Sequence, residues 1–252
     1  MSKQERELTS QHEGGFWRFS IANWLLHLLG VEVETKTDPS LENLRNYEGV
    51  ILLVVAPHTS HVNSLLVKKA VEELWGKERS KNLSFIAKKA YWDKPFLRRL
   101  VKLIIPDMQF IEKLADINDL IEIYQNKKKM IIVIYPQGSR KNWDKHPLES
   151  GFIALADDLD AKVVPVTLLN SEYTMPPGEG PMAAIRKGFI RCRRGEVNTQ
   201  QVVFDHELVL PAMAGEERGK KDRQKIIDEL KARLGLAYVE ENQPVPPFLQ
   251  II

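Results

Sequence analysis

Ile51-Leu-Leu-Val-Val-Ala-Pro-His-Thr-Ser-His-Val-Asn63 is the stretch from which the fold is read. Six apolar residues, mostly branched, run into Pro57, and His58 follows at once. Thr59 and Ser60 then offer helix N-caps ahead of an apolar-periodic segment over 62–70. The pattern predicts a buried strand, a tight turn and a helix. In open α/β sheets, ligands bind beyond the carboxyl ends of strands, where such a turn lies. A second segment has the same form: Met130-Ile-Ile-Val-Ile-Tyr-Pro-Gln-Gly-Ser-Arg140. Two parallel strands of this kind would bring a histidine and a glycine-arginine turn to one rim of a sheet. The expectation is that His58 and Arg140 line a common cavity.

Composition sets the outer bounds. The chain has 252 residues, 43% of them hydrophobic and 28% charged, enough for one substantial α/β core. Lys+Arg 36 against Asp+Glu 34 leaves a net charge of +2, so any basic partner surface has to be local. The single cysteine, Cys192, excludes an internal disulfide framework and fits a reducing compartment. The sequence opens with no secretory-signal pattern and contains no uninterrupted apolar run of about 18 residues.

Outward from the two strands, the chain reads as a central, mostly parallel sheet flanked by helices. A late antiparallel hairpin and an N-terminal helical appendage complete it. Residues 1–40 are read as a polar tail and a membrane-surface helix, and 41–252 as the α/β domain. Within the first part, 16–29 concentrates Trp, Phe and Leu and ends at Gly30, a natural C-cap. It suits either the headgroup boundary of a bilayer or a helix packed on the sheet. Strands are expected over 31–37, 83–87 and 108–111, and helices over 95–103, 117–129, 150–158 and 216–234. A strand over 162–169 contains Pro165, which argues for a bulge or an edge position. Residues 185–191 and 201–210 read as the arms of the late hairpin.

A histidine just past a strand suits a general base that takes a proton from an attacking hydroxyl. The residue five positions on, Asn63, lies one helical turn inside and can reach back toward the ring. His58-Thr-Ser-His-Val-Asn63 resembles the H-x4-D signature of the glycerolipid acyltransferase family. Pro136-Gln-Gly-Ser-Arg140 resembles its P-E-G-T-R block, Phe110-Ile-Glu-Lys113 its F-I-x-R block, and Val164-Pro-Val166 its late V-P-V strand. All four occur in the family's order and spacing. The resemblance implies that His58 deprotonates an acceptor hydroxyl and that position 63 orients it. It further implies that Gly138, Ser139 and Arg140, with Gln137 and Lys113, bind the acceptor's phosphate or other polar head. The implied donor is a thioester of coenzyme A or acyl carrier protein, and the acceptor a lysophospholipid or related glycerolipid. No metal or bound cofactor is implied. The location would be peripheral, on the cytoplasmic side of a membrane.

Four positions depart from the pattern. Asn63 stands for Asp, Gln137 for Glu, Ser139 for Thr and Lys113 for Arg. Lysine keeps the charge but loses the two-pronged fit of a guanidinium. The amides can hydrogen-bond, yet neither balances an imidazolium charge. A homologue that binds lipid or acyl carrier without chemistry is therefore the alternative reading.

Other candidates carry less. His58 and His61 form an H-x-x-H pair without a third ligand at zinc spacing. Ser60 beside His58 has no G-x-S-x-G elbow, leaving an esterase as the weakest option. Arg186, Lys187, Arg191, Arg193 and Arg194, interleaved with Phe189 and Ile190, suit an anionic bilayer surface or a solvated strand edge. No nucleic-acid motif surrounds them, and no nucleic-acid partner is expected.

Overall fold

The computed structural model describes residues 21–59, 62–88, 108–111, 117–125, 127–137, 147–173, 181–211, 218–241, 243–246 and 249. Its centre is a seven-stranded sheet with strands β1 (Val31–Thr37), β2 (Ile51–Ala56), β3 (Leu83–Lys88), β4 (Met108–Ile111), β5 (Ile131–Ile134), β6 (Lys162–Leu169) and β7 (Asn198–Phe204). Their spatial order is β1-β7-β6-β2-β5-β3-β4. From β6 to β4 every pairing is parallel, β7 is antiparallel to β6, and β1 is parallel to β7.

The two segments quoted above are next-door strands, with Val54 opposite Ile134. Every residue of β2 is fully buried, because helices cover both faces of the sheet. That is why its sequence is an unbroken apolar run rather than an alternation. Ile51, Leu53 and Val55 face one layer, where α2 (Asn63–Trp75) supplies Leu66, Val67, Ala70 and Val71. Leu52, Val54 and Ala56 face the other, with Phe152, Ile153 and Leu155 of α5 (Gly151–Asp158) and Leu230 and Leu234 of α7 (Lys220–Glu240). Leu66 is completely buried, so Leu66→Ala would remove about 2–5 kcal/mol of stability.

The remaining helices are α1 (Ile21–Leu28), α3 (Lys77–Ser80), α4 (Ile117–Tyr124) and α6 (Pro181–Arg193). None of the described helices is long and apolar enough to cross a membrane. Gly30, at φ +63°, ends α1 as its sequence suggested. The predicted helix over 95–103 lies outside the described residues. α4 stops at Tyr124, so Lys127, Lys128 and Lys129 follow the helix instead of forming its last turn. α2 starts with Val62 as N-cap and no side-chain cap, while Thr59 is engaged elsewhere.

The late hairpin is corrected. Residues 185–191 belong to α6, and the antiparallel partner of β7 is β6. Pro181 opens this helix with a preset φ and no wasted N–H, and Gly195, at φ +66°, follows its end. Pro165 is interior to the sheet, and the bulge it argued for is present. Pairing steps from Val166↔Phe204 to Val163↔Leu208, so one strand advances four residues while β6 advances three.

Candidate functional site

β2, β5 and β6 all end at the same rim, and the turns that follow them converge. Just past β2, the main-chain N–H of His58 donates to Gln137 Oε1 from the turn after β5, at 2.8 Å. Gln137 is buried, so this bond fixes one turn against the other. The His58 ring stacks on Tyr135, centroids 4.1 Å apart and planes 23° from parallel. The Tyr135 hydroxyl lies 3.4 Å from Ser64 Oγ on the first turn of α2. The next residue is pinned from a third strand: Thr59 Oγ1 and Ser171 Oγ, just past β6, share a 2.6 Å hydrogen bond. Both are buried.

Asn63 occupies the first position of α2 and is fully buried. Its Nδ2 donates to the Pro57 carbonyl at 3.1 Å, so the amide clamps the backbone immediately before His58. Its Oδ1 is buried and accepts no hydrogen bond from a described residue. A carboxylate at this position has no proton to give that carbonyl. The local structure is built around an amide.

Of the residues singled out from sequence, His58, Asn63 and Gln137 meet at this rim. Gly138, Ser139, Arg140 and Lys113, as well as Ser60 and His61, lie outside the described residues. The cavity expected between His58 and Arg140 therefore falls partly outside the described residues. Three residues of the site escaped the sequence reading: Tyr135, Thr59 as a tether, and Ser171. Tyr135 carried one usable signal, its place next to a proline at the carboxyl end of a strand paired with that of His58.

Among the described residues, the grouping with metal-ligand geometry is Asp38, Asp205 and His206, whose ligand atoms lie within 4.8 Å of one another. It sits at the opposite rim, where β1 and β7 end. It plays no part in the His58 site.

An imidazole whose backbone and ring face are fixed by the turn after β5, and whose following residue is fixed by the turn after β6, defines an α/β protein with its site at the carboxyl rim of the sheet. The family follows from the sequence of the same region. Residues 37–169, more than half of the chain, match the family model described as Acyltransferase, and the chain belongs to that family. The matched span includes His58, Asn63, Lys113 and 137–140. The crystal structure of the 1-acyl-sn-glycerophosphate (LPA) acyltransferase PlsC from Thermotoga maritima matches over 94% of this chain and 89% of that one, at 13% identity and a TM-score of 0.48. No curated protein matches the sequence.

Proposed function

We propose that the protein moves a fatty acyl group from an acyl thioester, of coenzyme A or acyl carrier protein, to a hydroxyl of a lysophospholipid or related glycerolipid. The reaction takes place at the cytoplasmic surface of a membrane. The observation that carries this reading is His58 held at the rim by Gln137 and Tyr135, inside the span that matches the acyltransferase model.

In this reading a ring nitrogen of His58 takes the proton of the acceptor hydroxyl as its oxygen bonds to the thioester carbonyl carbon. The tetrahedral intermediate collapses with loss of the C–S bond, and the imidazolium returns its proton to the departing thiolate. Asn63 holds the turn that presents the imidazole. Lys113, Gly138, Ser139 and Arg140 bind the anionic head group: a glycine lets backbone N–H groups approach, and a guanidinium matches phosphate oxygens in pairs. The chemistry calls for no bound cofactor or metal beyond the donor thioester.

The hydrogen bond from Asn63 to Pro57 favours one rival, a homologue that binds lipid or acyl carrier without turnover. The test is an acyl-transfer screen of the purified protein over lysophospholipid acceptors, with acyl-CoA and acyl carrier protein donors and mass-spectrometric detection, repeated with Asn63→Asp. Ester product from the parent protein supports transfer. A silent parent beside an active Asp variant establishes the binding-only reading, and silence from both with every donor and acceptor rejects acyl transfer.

A further inference from the structure

Helix α6 has two very different sides. Gly188 faces α1 so closely that a Cβ there would come within 2.5 Å of Leu28 O and Leu29 Cα. Successive residues turn by about 100° around a helix, which puts Arg186, Ile190 and Arg193 on the side opposite Gly188, with Lys187 and Phe189 at its margins. All five are exposed, Phe189 at 55% and Ile190 at 40%. The Arg193 guanidinium lies 5.1 Å from the centre of the Phe189 ring. Residues 181–195 contain no acidic residue, in a chain whose net charge is only +2.

The helix that carries this face is tied to the His58 rim from its inner side. Arg191 Nη2 donates to the Tyr173 carbonyl at 3.3 Å, and Tyr173 closes the short turn that begins with Ser171, the partner of Thr59. Tyr173, at 62%, and Trp24 of α1, at 55%, add exposed aromatic surface to the elements that flank α6.

We propose that the outer face of α6 is a docking surface for an anionic lipid bilayer, and that it presents the His58 rim to that bilayer. Arginines interleaved with an exposed phenylalanine and isoleucine match such a surface twice over. Lipid phosphates take the charges, and the acyl boundary takes the apolar side chains. A nucleic-acid backbone would use the charge and leave Ile190 in water. Docking itself stands apart from the acyl-transfer reading; only its consequence, delivery of a bilayer-borne acceptor to His58, rests on it.

The test is cosedimentation of the full chain with vesicles of neutral phosphatidylcholine and with vesicles containing phosphatidylglycerol. Binding to the anionic vesicles is expected, weakening as salt rises. Arg186→Gln with Arg193→Gln should weaken it by about tenfold or more, since each basic residue near an anionic surface contributes about a fivefold factor. Phe189→Ser with Ile190→Ser should also weaken it. Lys220→Gln with Lys221→Gln, on exposed positions of α7, should leave it unchanged. Unaltered binding by both α6 variants would overturn the proposal. So would equal binding to neutral vesicles, or capture of single-stranded DNA in preference to vesicles. A docking variant that keeps transfer to a monomeric lysophospholipid in solution separates this surface from the chemistry. A His58→Ala protein that still sediments with vesicles does the same from the other side.

Discussion

The His58 imidazole lies face to face with the Tyr135 ring, 4.1 Å between centroids, on the ends of two adjacent parallel strands. Where the family pattern places carboxylates at 63 and 137, this chain offers amides. In the proposed reaction, the π-face beside the imidazole would attract the imidazolium formed as His58 takes the acceptor's proton.

Replacing Tyr135 by Leu should therefore lower the turnover number about threefold to thirtyfold, with a smaller change in KM. Phe, which keeps the ring and loses the hydroxyl beside Ser64, should retain most of the activity. Steady-state kinetics of the two variants decide it. Leu at wild-type turnover would remove the stacking from the account.

Asn63→Asp should destabilise the fold. The buried amide gives a proton to the Pro57 carbonyl, and a carboxylate would set two acceptors against each other. The loss expected for a buried acceptor deprived of its donor is about 1–3 kcal/mol. Urea unfolding at neutral pH measures it; an unchanged or raised midpoint would show that the clamp contributes nothing.

Arg79 is 5% exposed, and its Nε and both Nη atoms are buried and donate no hydrogen bond to a described residue. Burial pushes the guanidinium pKa down, and the charge of Glu48 opposes that only in part. A buried charge with no close partner is a liability that an apolar side chain of similar length relieves. Arg79→Met should raise stability, seen as a higher Tm. A lower Tm would mean that the guanidinium has a partner in solution.

Glu241, at the end of α7, accepts hydrogen bonds from Lys36 Nζ on the edge strand β1 and from Gln201 Nε2 on β7. The Lys36 bond, aided by Gln201, holds its carboxyl below the ordinary range. The folded value is thus lower than the unfolded one. The contribution is complete above the unfolded pKa and is lost as pH falls through the folded pKa. Glu241→Gln should reduce stability at neutral pH by less than about 1 kcal/mol, because the pair is partly exposed. The difference from wild type should disappear in acid. Denaturant midpoints across that range test the sign, and a gap that widens in acid would contradict it.

How much of this was legible in the sequence depended on where the determining contacts lie. β2 and β5 were plain, because burial on both faces demands the uninterrupted branched runs that Ile51 and Ile131 open. The bulge opposite Pro165 was legible from one missing N–H. Helix α6 was misread because its basic and apolar residues alternate over a short span, and Gly188 argues locally against a helix. Its reason is tertiary: only glycine lets α6 approach Leu28 and Leu29 so closely. Within the site, His58, Asn63 and Gln137 could be named from their motifs. Tyr135 and Ser171 could not, since each meets its partner only after the sheet has brought different strand ends together.

The central claim is that His58 is the base for acyl transfer, and replacing it by Ala tests that most directly. With purified protein, vesicles carrying lysophospholipid and a labelled acyl thioester, the account predicts that ester formation falls to background while vesicle binding and the unfolding midpoint are preserved. Ester formation at the wild-type rate would contradict it.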